Sequence, residues 1–152
     1  MNSAAELTLT LAAHQAAFVE VSFLLEIFAA TVHDLMGGAT DSVGRIAGRE
    51  MAKKMPVYIP NPTLEEVLGQ VAERMKKGFQ IGFKVDDAGA DLTFGRCALQ
   101  EVCRVRNLEP GGPLCCLFHF YLDGVVNELV YRPVKSRIVS TGEQCQVRME
   151  MR

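Results

Sequence analysis

Leu114–Tyr131, LCCLFHFYLDGVVNELVY, is the stretch whose reading decides the fold. The Asp123-Gly124 pair at its centre could turn a β-hairpin. Against that, Leu114, Leu117, Phe118, Tyr121, Leu122, Val125, Val126 and Leu129 follow i, i+3, i+4 spacing and so share one side of a helix. His119, Asp123 and Asn127 recur every four residues and fall on the opposite, polar face. A helix explains more positions than a hairpin. The segment is therefore predicted helical, with an internal glycine, and Pro133 closes it.

Strands are predicted on both sides of this helix. Phe79–Val85 alternates apolar and polar residues, DDAGAD at 86–91 is a turn, and Leu92–Gly95 begins a pairing strand. Downstream, Val134–Ser140 and Gln144–Met151 flank a Thr-Gly-Glu turn. In the last strand Cys145, Val147, Met149 and Met151 face inward, with Gln144, Gln146, Arg148 and Glu150 outward.

Three helices precede the strands. Leu7–Met36 lacks proline and glycine and is apolar around most of its circumference, with Gln15, Glu26 and His33 on one line. Such a helix is buried on two sides: one by its own domain, the other by a second copy of the chain. Gly37 and Gly38 end it. Thr40 or Asp41 is placed to cap a second helix running to about Lys54. Gly44 and Gly48 on one of its faces permit close approach of another helix, and Arg45, Arg49 and Lys53 form a solvated basic line. Proline-punctuated MPVYIPNP at 55–62 is a linker. Thr63 and Glu66 then give a capping box before Leu64, Val67, Leu68, Val71 and Met75, and Gly78 stops that third helix. The fold class expected is α+β: N-terminal helices and a late helix packed on an antiparallel sheet, in one domain spanning 1–152. Residues 1–37 form the dimerisation helix and 41–152 the core.

Bulk properties narrow the function. A chain of 152 residues is one domain by length. Net charge of −2 leaves no basic stripe for phosphates, so nucleic acid is not an expected partner. Ala4, Ala5 and Glu6 stand where a signal peptide's basic region would be, and Glu20 and Glu26 interrupt the first helix, so neither export nor a membrane span is expected. That points to the cytoplasm.

Five cysteines, an odd number without an export signal, favour reduced thiols over disulfides. Four lie in CALQEVCRVRNLEPGGPLCC, 97–116, and the fifth is Cys145. The candidate metal ligands are Cys97, Cys103, Cys115, Cys116 and Cys145, with one of the adjacent Cys115 and Cys116 ligating. Four thiolates suit tetrahedral zinc or an iron–sulfur cluster. From a straight strand Cys97 and Cys103 would stand about 20 Å apart, whereas a helical turn through Ala98–Val102 cuts this to about 9 Å. The site therefore demands a break in the strand near Cys97. The plain alternative is that free cysteines pack as small hydrophobes. A Cys–His nucleophile would need Cys115 or Cys116 beside His119, which is otherwise a partly exposed residue on the polar face. The chain carries no P-loop, G-x-G-x-x-G, H-E-x-x-H or G-x-S-x-G.

GRIAGREMAKKM at 44–55, LGQVAERMKKGFQIGF at 68–83, CLFHFYLDGVVNEL and the terminal STGEQCQVRMEM together resemble the 4-vinyl reductase (hydrocarbon-binding) domain of the NO-signalling and Golgi-transport ligand-binding superfamily. The resemblance covers roughly 41–152. It implies helices on an antiparallel sheet, a dimer, and a pocket for aromatic hydrocarbons, acyl chains or tetrapyrrole-like molecules. Aromatic-sensing activators of this type carry zinc with a cysteine in the last strand, matched here by Cys145. Their glutamate and second cysteine in the preceding strand are replaced here by Val134 and Arg137. Some small stand-alone relatives instead have cysteines before the last helix, as Cys97, Cys103 and Cys115 or Cys116 are placed. The heme branch's Y-x-S-x-R has only YRPVKSR, 131–137, as counterpart, with the wrong spacing, so heme is not expected.

The function expected is a non-enzymatic sensor or binding domain for a small apolar ligand, with a cysteine-rich zinc or iron–sulfur site. Its pocket would lie between the late helix and the sheet, lined by Phe79, Ile81, Phe118, Leu122 and Val126. Output would pass through a partner protein or the dimer. The alternatives are a small thiol-dependent reductase acting on a tetrapyrrole-like substrate, and a scaffold subunit.

Overall fold

The computed structural model describes residues 10–152. Apolar periodicity and caps produce, in order, α1 (Leu11–Met36), a 3-10 turn (Gly37–Ala39), α2 (Thr40–Lys54), α3 (Leu64–Met75), β1 (Phe79–Asp86), β2 (Gly89–Cys97), α4 (Ala98–Arg106), α5 (Pro113–Val130), β3 (Val134–Ser140) and β4 (Cys145–Met151). The chain is α+β, as its sequence predicts. Residues 7–9 of the expected first helix lie outside the described residues.

The four strands form one antiparallel sheet in the order β1-β2-β4-β3. Register pairs Leu92 with Val147, Ala90 with Met149 and Phe94 with Cys145. That alignment puts apolar side chains of β2 and β4 on one face, where Ala90, Leu92, Phe94, Val147 and Met149 are fully buried and Cys145 and Met151 partly so. Leu64, Val67, Leu68 and Val71 of α3 and Leu122, Val125 and Val126 of α5 complete the same core. Thr63 caps α3 with the reciprocal Glu66 bond that the capping box requires.

The decisive segment is a helix, and its Asp-Gly pair serves packing instead of a turn. A Cβ at Gly124 would stand 2.2 Å from the Arg45 carbonyl oxygen, and one at Gly48 2.0 Å from that of Tyr121. With Gly44 against Phe120, these glycines let α2 and α5 touch backbone to backbone. Helix α5 thus has the sheet on one side and α2 on the other. It has no polar face. His119 and Asp123, expected toward solvent, are buried, Asp123 completely. The Asp123 carboxylate accepts from Ser136 N–H at 2.9 Å and Ser136 Oγ at 2.5 Å, with Arg45 at 3.4 Å. Arg45 also donates to the Val134 carbonyl at 2.7 Å. One member of the expected solvated basic line therefore joins the interior, while Lys53 stays on the surface beside Glu50.

Two smaller expectations change. Neither Thr40 nor Asp41 is the cap of α2: Ala39 holds that position, Thr40 Oγ1 donates back to the Gly37 carbonyl, and Asp41 accepts from the next residue, Ser42. The turn between β1 and β2 is also tighter than 86–91, since strand pairing runs to Asp86 and resumes at Gly89.

Helix α1 lies along α4 and α5. Of its side chains only Ser22 and Ala29 are buried, and Glu26 pairs with Arg106 of α4 at 2.5 Å. Val21, Leu24, Phe28 and Leu35 are 53%, 54%, 66% and 78% exposed. The continuous helical stretch Leu11–Lys54 contains an 18-residue window apolar enough to cross a membrane by length and composition alone. One such window is weak grounds for a span, and Glu26 is held by an ion pair to a charged helix.

Candidate functional site

The site lies where the ends of β2 and β4 meet α4 and α5. Cys97 ends β2, and α4 starts at the next residue, so the strand breaks where a shared thiol site demands. Cys145 opens β4 opposite Phe94, and Cys115 lies in the first turn of α5. These three cysteines line one cavity of about 20 Å³ together with Phe94, Leu99, Phe118, His119 and Ile138. Its walls are apolar apart from the thiols, His119, and the edge supplied by Gln100, Gly111 and Thr141.

Each cysteine has a distinct place. Cys103, 3% exposed, is set behind Cys115 and outside the cavity lining. Burial, and then the neighbouring Cys115, pushes its thiol up to about 11. Burial also pushes the Cys97 thiol up. Cys116 faces the other way: its Sγ donates to the Gly111 carbonyl at 3.5 Å and lines a groove with His33, Phe120 and Lys135. The helix phase thus selects Cys115 over Cys116 for the cavity. Cys145 Sγ accepts from Gln100 Nε2 at 3.4 Å.

Of the expected pocket residues, only Phe118 lines this cavity. Phe79 stacks on Phe118 with ring centroids 4.7 Å apart. Ile81 and Phe79 border an open groove between α3 and β1. Leu122 and Val126 are sealed in the main core.

His119, weighed in the sequence only as a possible partner of Cys115 or Cys116 and otherwise expected on the polar face, lines the cavity. It is 8% exposed, stands edge-on to Phe94 and Phe118 at 5.4 Å from each, and burial pushes its pKa down to about 4. The neutral imidazole has an Nδ1 that is buried with no hydrogen-bond partner. An unsatisfied buried polar atom costs about 1–3 kcal/mol, which favours a guest able to bond to it. The signal was its spacing: His119 follows Cys115 by four residues and so shares its helix face.

Thiols together with a free imidazole are the donor chemistry of thiophilic metal ions. Among the described residues, however, no three histidine, cysteine, aspartate or glutamate side chains stand at metal-holding distance as placed. The donor types fit a metal, and the spacing is wider than coordination. For nucleophilic catalysis the fit is poorer at Cys97, Cys103 and Cys116, whose thiols burial pushes up, leaving little thiolate at neutral pH.

No family model matches the chain, and no curated protein does. Among solved structures, the fold is similar to that described as the crystal structure of the phenol-responsive sensory domain of the transcription activator PoxR with phenol. The likeness covers 88% of this chain and 74% of that one, with TM-score 0.57 and 14% identity. At that identity the likeness is one of fold.

Proposed function

We propose that this chain is a small-molecule-binding sensory domain of the 4-vinyl reductase type, cytoplasmic and dimeric, with its recognition site at the cysteine-lined cavity. The observation that carries this reading is the cavity itself: apolar walls of Phe94, Leu99, Phe118 and Ile138 around a few convergent polar groups, one of them unpartnered. The similar fold of a domain whose title calls it phenol-responsive supports it.

At about 20 Å³ the cavity has room for little more than one water-sized guest. A larger apolar ligand is proposed to enter by displacing Phe118, the lining residue that stacks on Phe79. That stack packs on a second apolar cluster of Ala29, Leu99, Val102 and Leu114, which joins α4 and α5 to α1. Ligand entry is in this way coupled to α1, whose exposed face is proposed to meet a second copy or an output partner. The thiols of Cys97, Cys103, Cys115 and Cys145 are proposed to hold zinc or an iron–sulfur cluster, which would tie β2, α4, α5 and β4 to one centre.

The test is calorimetric titration of the purified chain with phenol, toluene and a short-chain fatty acid. Saturable binding of at least one probe, weakened tenfold or more by the cavity-filling Ile138→Phe, is the expected result. No binding of any probe by the wild-type chain would overturn the reading.

A further inference from the structure

We infer that Cys103 and Cys115 are a redox-active pair, oxidised to an intrachain disulfide by a small-molecule disulfide, and that this bond regulates entry to the neighbouring cavity. The regulatory half rests on the ligand-binding reading; the bond itself does not.

Three observations lead there. Placement comes first: Cys103 of α4 and Cys115 of α5 line one groove of about 160 Å³, together with Leu108, Glu109, Gly112 and Pro113. Proximity is the second. Of the other cysteines, Cys115 acts on the Cys103 thiol most strongly, by charge and by a side-chain hydrogen bond, ahead of Cys97 and Cys145. Such effects fall with distance, so these two sulfurs are the close pair. The third is the lack of further donors: among the described residues no third histidine, cysteine, aspartate or glutamate joins them at metal-holding distance. Two close thiols without a third donor suit a covalent bond between them better than an ion.

Access orders the chemistry. Cys115 is half-buried and reached from the groove, whereas Cys103 is 3% exposed behind it. Cys115 releases its proton and attacks one sulfur of the small disulfide, whose other half leaves as a thiolate and is protonated. Cys103 then releases its proton and attacks Cys115 Sγ in the mixed disulfide, and the second half leaves in the same way. The chain gives up two electrons and two protons, and the oxidant becomes two small thiols. Other sulfurs are turned elsewhere: Cys116 Sγ donates to the Gly111 carbonyl, and Cys145 Sγ accepts from Gln100. Burial pushes the Cys103 thiol up because its thiolate is poorly solvated there, and a disulfide, which bears no charge, suits the same place.

Cys115 connects the bond to the cavity, since it lines both the groove and the cavity. Bonded to Cys103, it ties α4 to the first turn of α5 beside the Leu99, Val102 and Leu114 cluster on which Phe118 packs. Phe118 is the side chain a larger guest displaces, so the oxidised chain resists entry. Disulfide and metal are exclusive uses of these two sulfurs, and the oxidised chain is the metal-free one.

The experiment equilibrates the reduced full-length chain, stripped with a chelator, against mixtures of glutathione and glutathione disulfide, then alkylates it and maps the bonds by peptide mass spectrometry. One Cys103–Cys115 disulfide per chain is expected, with Cys97, Cys116 and Cys145 alkylated. Cys116→Ser should give the same bond, and Cys103→Ser should stop at a mixed disulfide between Cys115 and glutathione. Titration with phenol and toluene then compares the two states of the wild type, with affinity expected to be at least fivefold weaker in the oxidised chain.

A different dominant pair, or five free thiols at full oxidation, would overturn the inference. Equal affinity of the reduced and oxidised chains would overturn the regulatory half and leave the bond standing. Absence of probe binding by the reduced chain would overturn the ligand-binding reading and the regulation with it, while the mapped bond is read independently.

Discussion

Asp123 shows how much a single residue can organise. Its carboxylate, fully buried, is the acceptor for both donors of Ser136 and draws Arg45 from the α2 surface inward. Asp123→Ala leaves the Ser136 N–H and Oγ–H without their acceptor and Arg45 with only the Val134 carbonyl, and is expected to destabilise the chain by about 3 kcal/mol in urea unfolding. The charge itself is held at a disadvantage. Burial pushes the Asp123 carboxyl above its ordinary 3.8 despite Ser136 and Arg45. The folded chain therefore keeps this proton to higher pH than the unfolded chain does. The associated stability is full below pH 3.8 and is lost as pH rises through the raised value. Asp123→Asn removes that dependence, so the difference between the two stability–pH curves isolates it.

Glycines set the geometry at the scale of elements. Gly44, Gly48 and Gly124 bring α2 and α5 into backbone contact, and a methyl group at Gly48 would meet the Tyr121 carbonyl oxygen at 2.0 Å. Because backbone cannot step aside as a flexible side chain can, Gly48→Ala is expected to cost about 3 kcal/mol or more by urea denaturation. Gly69, inside α3, has only the far end of the Phe83 ring nearby, at 3.9 Å. Gly69→Ala is expected to be neutral or stabilising by up to about 1 kcal/mol, through helix propensity. Equal losses at the two positions would mean that close packing does not distinguish them. The α2–α5 contact also matters for the cavity, because it fixes the phase of α5 that turns Cys115 and His119 inward and Cys116 away.

The whole molecule leaves one surface unfinished. Val21, Leu24, Phe28 and Leu35 recur at helical spacing along α1, each more than half exposed. A 26-residue helix carrying such side chains offers on the order of 800 Å² per chain, the size of a standard stable interface. A second copy supplies a matching apolar face by symmetry. Sedimentation at micromolar concentration is expected to show a dimer for the wild type and a monomer for Leu24→Glu/Phe28→Glu. A monomeric wild-type chain, or one that partitions onto lipid vesicles, would rule the dimer face out.

Local pattern determined much of this protein. Periodicity placed α1 to α3, α5 and the strands close to where they lie, the capping box located the start of α3, and i, i+4 spacing outweighed Asp-Gly in α5. Alternation likewise put Val147 and Met149 of β4 inward. Those features depend on residues a few positions apart, which one chain displays directly. Tertiary structure decided the rest. His119 and Asp123 look like a solvent face until the sheet covers them, Phe94 against His119 and Ser136 against Asp123, while α2 takes another side of α5; a helix buried on two sides gives its polar residues no water to meet. Phe118 reaches the cavity while Leu122 and Val126 vanish into the core, because depth along a helix depends on what packs across it. The cysteines were legible as a group, but their division into three that line the cavity, one behind it and one turned away was not. That division is set by the junction of two strand ends with two helices, and by the angle at which α5 crosses them.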